Sequence, residues 1–129
     1  MLLDLLSKYV ESVEDAIGKL ENAYVERYEE EILTEYRANL RIRIRFQTGY
    51  MLELNEAIIS EENQIMHMGY RYHFQDRKNR LVFRYDNTPH FPEIVTYPHH
   101  KHISERVVAV HQPTIFAVIK EATLFQQTQ

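Results

Sequence analysis

The chain opens with apolar side chains at Leu2, Leu5, Leu6, Tyr9, Val10, Val13, Ile17 and Leu20, spaced by threes and fours. Such a stripe predicts an amphipathic helix that packs on a sheet or on a second copy of itself. Asp4, Glu11, Glu14 and Lys19 lie off the stripe. Ala23 to Leu33 reads either as a continuation of the helix or as a charged edge strand, and we take the strand. From Asn39 to Phe46 the period drops to two, with Leu40, Ile42, Ile44 and Phe46 alternating with Arg41, Arg43 and Arg45. That is the signature of a half-buried strand. Gly49 marks a turn, and Met51 to Ile59 returns. A three-residue loop Thr48-Gly49-Tyr50 predicts Phe46 opposite Leu52, Ile44 opposite Leu54 and Arg45 opposite Glu53. A two-residue loop would instead set Ile44 against Glu53.

Gln64 to Gln75 alternates again. Met66, Met68, Tyr70, Tyr72 and Phe74 share one face, and His67, Gly69, Arg71 and His73 the other. After the polar turn Asp76 to Asn79, Leu81, Phe83 and Tyr85 alternate with Val82, Arg84 and Asp86. Pairing Gln75 with Arg80 predicts that Arg71, His73, Arg84 and Asp86 share one side of a hairpin and the rings the other. Prolines at 89, 92 and 98 predict an extended, stiff loop. Arg106 to Val110 reads as a short strand, and Pro113 as the first turn of a short closing helix through Ile115, Phe116, Ile119 and Ala122. The expected fold is α+β: an N-terminal helix, an antiparallel sheet of five to six strands and a short C-terminal helix. The helices are expected over the face carrying Ile42, Ile44, Tyr72, Phe74 and Phe83.

With 129 residues, no repeat and no linker, residues 1–129 read as a single domain. No apolar run is long enough to span a bilayer, and the acidic N-terminus does not resemble a signal peptide, so a soluble cytoplasmic protein is expected. The chain has no cysteine, which removes disulfides, thiolate nucleophiles and thiolate metal ligands. Its net charge of −4 means that any nucleic-acid contact must come from a local patch. Arg37, Arg41, Arg43 and Arg45 offer such a patch, or else a cross-strand ladder with Glu53 and the acidic first third.

The candidate chemistry concentrates between Tyr70 and His102, which holds five of the seven histidines. RNA cleavage without a metal needs a base for the 2′-hydroxyl, an acid for the leaving oxygen and cations for the phosphate charge. Imidazole can serve as base or acid near neutrality, and the planar guanidinium grips phosphate at two points. His73, His100, His102 and Asp86 are therefore the candidate catalytic groups, and Arg71, Arg84 and Lys101 the phosphate ligands. The alternatives are a solvated face with Arg84 paired to Asp86, and a divalent metal held by His100 and His102 with His90, or else His73, as the third ligand. Asp86 and Asn87 also suit a turn in which their side chains bond the backbone. His67 and His111 read as ordinary surface or satisfied residues.

The segments YRYHFQD (70–76), LVFRYDNTPHFPE (81–93) and YPHHKH (97–102) together resemble the TumE-like toxin family of bacterial and archaeal toxin–antitoxin pairs. The likeness extends more loosely over the leading helix, the arginine-rich hairpin and the Pro113 segment. It implies a small toxin partnered by an antitoxin with a helix-turn-helix DNA-binding domain. Similarity to small ribonuclease toxins implies an RNA target. The acidic charge departs from that of basic, ribosome-binding toxins. A different class of function, a non-enzymatic binding module using its apolar stripes for self-association or for an antitoxin, fits the same pattern.

Overall fold

A computed structural model describes residues 4–129. Helix α1 (Asp4–Gly18) leads into strands β1 (Ala23–Thr34), β2 (Arg37–Phe46), β3 (Met51–Glu61) and β4 (Gln64–Gln75). Strands β5 (Leu81–Asp86), β6 (His100–Ile103) and β7 (Arg106–Ala109) follow, and α2 (Ile115–Gln127) closes the chain. All seven strands form one antiparallel meander in sequence order, one or two more than expected. The strand without a counterpart in the apolar pattern is β6. Its sequence HKHI carries no alternation of oily and wet side chains, and its partners decide its conformation.

Both helices pack on one face of the sheet. Leu6, Val10, Val13 and Ile17 of α1 are buried, at spacings that keep them on one side of the helix. The first residue of the predicted stripe, Leu2, lies outside the described residues. Ile115, Val118, Ile119 and Ala122 of α2 meet Ile42, Ile44, Tyr72, Phe74 and Phe83 in a shared core, the face expected from the pattern. Pro113 precedes the helix rather than opening it, and Thr114 is the N-cap, its hydroxyl accepting from the Ala117 N–H at 3.0 Å.

Two hairpin registers differ from expectation by two residues each, which preserves the faces. Ile44 lies opposite Leu52, Ile42 opposite Leu54 and Arg43 opposite Glu53. The connecting loop is Gln47-Thr48-Gly49, closed by the Phe46 N–H on the Tyr50 carbonyl, with Gly49 in the left-handed region at φ 94°. In the β4–β5 hairpin a bulge at Val82 sets Phe74 opposite Phe83 and His73 opposite Arg84. A second bulge, at Met68, pairs Ile58 with His67 and reverses the alternation below Gly69. His67 therefore turns towards the helices while Met66 and Met68 are exposed, contrary to the simple two-residue period.

His67 joins an internal polar network. Glu56 sits at a position of β3 that the period assigns to the core, and its side chain is fully buried. It accepts from the hydroxyls of Tyr9 (2.7 Å) and Tyr72 and lies 2.9 Å from His67 Nε2. Burial, then the Glu56 charge, pushes both tyrosine hydroxyls far above their ordinary range, so they remain donors. The network ties α1 to β3 and β4.

Candidate active site

On the sheet face away from the helices, strand pairing arranges the side chains in rows. One row runs Glu53, His73, Arg84, His102 and Val107 across β3 to β7. The next runs Asn55, Arg71, Asp86, His100 and Ala109. The alternation in β4 and β5 thus brings Arg71, His73, Arg84 and Asp86 to one side, as the sequence implied. Strand β6 then adds His100 and His102 beside them. His73 and His102 flank Arg84 with their backbones two strands, or about 10 Å, apart.

Asp86 and His100 are buried at the centre of this cluster, and His102 is half-buried. His100 Nε2 lies 2.9 Å from Asp86 Oδ1, His102 Nε2 3.7 Å from Oδ2, and Arg84 Nε 3.5 Å from Oδ2. The carboxylate is held by the Thr88 N–H, which donates to Oδ1 at 3.0 Å, in the side-chain turn that the sequence Asp-Asn-Thr suggests. His100 Nδ1 faces the Pro98 carbonyl at 3.0 Å, and the Phe91 ring lies edge-on to both His100 and His102. Burial lowers the pKa of His102, helped by Arg84 and opposed by Asp86.

His73 is half-buried, and its Nε2 is 2.9 Å from Gln75 Oε1. Burial holds its imidazole below the ordinary histidine value. The Gln75 bond opposes this, while the charges of Arg71 and Arg84 add to it. Burial and the two guanidiniums thus favour the unprotonated form of the ring.

Two expected site residues lie elsewhere. Lys101 projects to the helix side, where its ammonium meets Glu121 Oε2 at 2.8 Å and sits over the Phe83 and Tyr85 rings. Neighbours in a strand alternate faces, so Lys101 cannot join His100 and His102. Burial acts to lower its pKa, but the contacts with Glu121 and Tyr85 outweigh that and hold it above its ordinary value. His90 is exposed on the loop, and the group with ligand atoms within 4.8 Å of one another is Asp86, His100 and His102. The carboxylate on β5 takes the place that the sequence reading gave to His90 or His73. The loop itself is a series of turns, with the Ile94 N–H on the Phe91 carbonyl and the Tyr97 N–H on the Ile94 carbonyl, not an extended segment. That folding carries Phe91 over the imidazoles.

Beside the cluster lies an open groove of about 420 Å³, lined by Arg27, Asn39, Arg41, Asn55, Arg71 and Asn87 among others. The arginine stripe is shared between two uses. Arg43 pairs with Glu53 at 3.3 Å and Arg45 with Glu26 at 3.2 Å, whereas Arg41 and Arg71 enter no ion pair among the described residues. Sequence reasoning missed Thr88, Phe91 and the Pro98 carbonyl. The only signal for them was their place between the LVFRYD and HHKH segments.

An antiparallel sheet with both helices on one face, and guanidiniums, imidazoles and a carboxylate gathered on the other, defines a small α+β protein. The model of the family described as Toxin TumE matches residues 13–125, and the chain belongs to that family. It is thereby a toxin component of a toxin–antitoxin system, and an antitoxin partner is implied. No curated protein and no solved structure matches the chain. Among the described residues no helix is long and apolar enough to cross a membrane.

Proposed function

We propose that this toxin is a ribonuclease acting on RNA laid across the sheet face away from the helices. The observation that carries the reading is the row His73–Arg84–His102, with Arg71, Asp86 and His100 in the adjacent row and the arginine-lined groove alongside. In the reaction His73 takes the proton of a 2′-hydroxyl, whose oxygen attacks the adjacent phosphorus. The bond from phosphorus to the 5′-oxygen breaks, and that oxygen receives a proton supplied by the group formed by Asp86, His100 and His102. Arg84 and Arg71 hold the non-bridging oxygens as their charge grows. The products carry a 2′,3′-cyclic phosphate and a free 5′-hydroxyl.

The family supports the biological setting: the partner is an antitoxin with a helix-turn-helix DNA-binding domain, and self-association of two copies is a further expectation. Incubation of the purified toxin with defined RNA oligomers, followed by end-group analysis, tests the reaction. Cyclic phosphate ends that disappear in His73→Ala support it. Intact RNA, bound or unbound, would leave a binding module in its place.

A further inference from the structure

We infer that Asp86, His100 and His102 form a binding site for one divalent transition-metal ion. The inference deepens the ribonuclease reading and rests on it for the ion's purpose, because the ion would sit in the half of the site that protonates the leaving oxygen.

The argument starts from an orphaned atom. His100 is almost completely buried, and its Nδ1 faces the Pro98 carbonyl at 3.0 Å. A carbonyl only accepts, so Nδ1 carries the ring's proton and Nε2 of the neutral ring is left with a lone pair. That Nε2 is buried and makes no hydrogen bond, although Asp86 Oδ1 is only 2.9 Å away. The ring therefore does not aim at the oxygen. Its lone pair passes beside the carboxylate, and two acceptors this close repel unless a cation lies between them. Ligands that meet on a common ion at about 2.1 Å stand roughly 3–3.5 Å apart. The separations from Asp86 of 2.9 Å to His100 and 3.7 Å to His102 bracket that range.

The surroundings are those of a metal site. The backbone carbonyl on the far nitrogen of His100 is the usual device for fixing a ligand's tautomer, and the Thr88 N–H on Asp86 steadies the carboxylate in the same way. The Phe91 ring shields both imidazoles on one side. Two imidazoles and one carboxylate select zinc, manganese, iron or cobalt rather than calcium or magnesium, and leave coordination positions for water or a phosphate oxygen. A proton on Nε2 is the competing occupant. It would point past the carboxylate, leaving a buried charge without its hydrogen bond, which is costly. The Arg84 guanidinium already shares Asp86 Oδ2 at 3.5 Å and opposes a second cation, so Arg84→Gln should tighten the site.

Untagged protein, stripped with chelator and dialysed, would be titrated with zinc and manganese chlorides by calorimetry and by thermal unfolding. The expected result is one ion per chain with a raised melting temperature. Affinity should drop by more than the roughly 10–100-fold that loss of a supporting partner costs in His102→Ala, and likewise in His100→Ala. His90→Ala should bind as the wild type does. His102 is half-exposed, so its variant remains informative if His100→Ala fails to fold. No binding, or binding indifferent to His102→Ala and Asp86→Asn, would overturn the site. A protein that binds no ion in the titration yet cleaves RNA in chelator refutes the metal and leaves the ribonuclease standing. One ion bound with no cleavage of any RNA does the reverse.

Discussion

His73 on β4 stands directly opposite Arg84 on β5, a pairing created by the one-residue bulge at Val82. Without the bulge the pairing of Gln75 with Leu81 would continue to His73 opposite Phe83, and the one-residue slip would place the imidazole and the guanidinium on opposite faces. The imidazole would lose the cation beside it. His73→Ala should lower RNA cleavage by roughly 10²–10⁴-fold, the range for loss of a general base. Stability should change little, because His73 Nδ1 is buried without a partner and its removal relieves a cost. Cleavage rates and urea unfolding of the same preparation check both halves.

The pH profile should show the same residue. A base must be unprotonated, so activity rises with pH through the His73 pKa, which burial holds below 6.5. The rising limb is therefore expected below that value, and Arg71→Ala should move it upward. The linkage has a definite sign. The unfolded chain binds this proton more readily than the folded one, so the wild type should lose stability relative to His73→Ala as pH falls below 6.5. A limb at or above the ordinary histidine value would remove His73 as the base.

Binding of uncleavable RNA should be salt-dependent and shared among the arginines of the sheet face away from the helices. Arg71→Ala should weaken it on all sequences alike and reduce the slope of log K against log salt by about 1. Lys101→Met is the contrasting case. It should leave RNA binding and its salt slope unchanged, since the ammonium faces Glu121 on the helix side. Filter binding at several salt concentrations separates the two variants.

The Glu56 network should matter to stability and not to cleavage. Tyr72→Phe removes a donor to a fully buried carboxylate and is expected to cost about 1.5–3 kcal/mol. Tyr9→Phe should cost less, because that hydroxyl is only partly buried. Urea midpoints with unchanged cleavage per folded molecule are the measurement.

Gly49→Ala tests the β2–β3 loop. The residue sits at φ 94°, and an added Cβ would lie 2.8 Å from Arg77 Cβ. A loss of about 1–3 kcal/mol is expected from strain and contact together, again without change at the catalytic groups.

Amphipathic spacing in α1 and the alternation along β2, the second half of β4 and β5 made the order of elements, the core face and the opposite placement of Arg71, His73, Arg84 and Asp86 legible in the chain alone. These are local consequences of periods of 3.6 and 2, which every residue carries with it. Registers, bulges and β6 were not legible. A two-residue slip leaves every side chain on its face, and the pattern HKHI has no apolar beat to reveal it. The tertiary structure alone decided that His100 and His102 join Asp86 while Lys101 and His90 do not. Contacts between β5 and β6 join residues separated by a 13-residue connection, and its folding back over the sheet is set by packing and hydrogen bonds among distant groups.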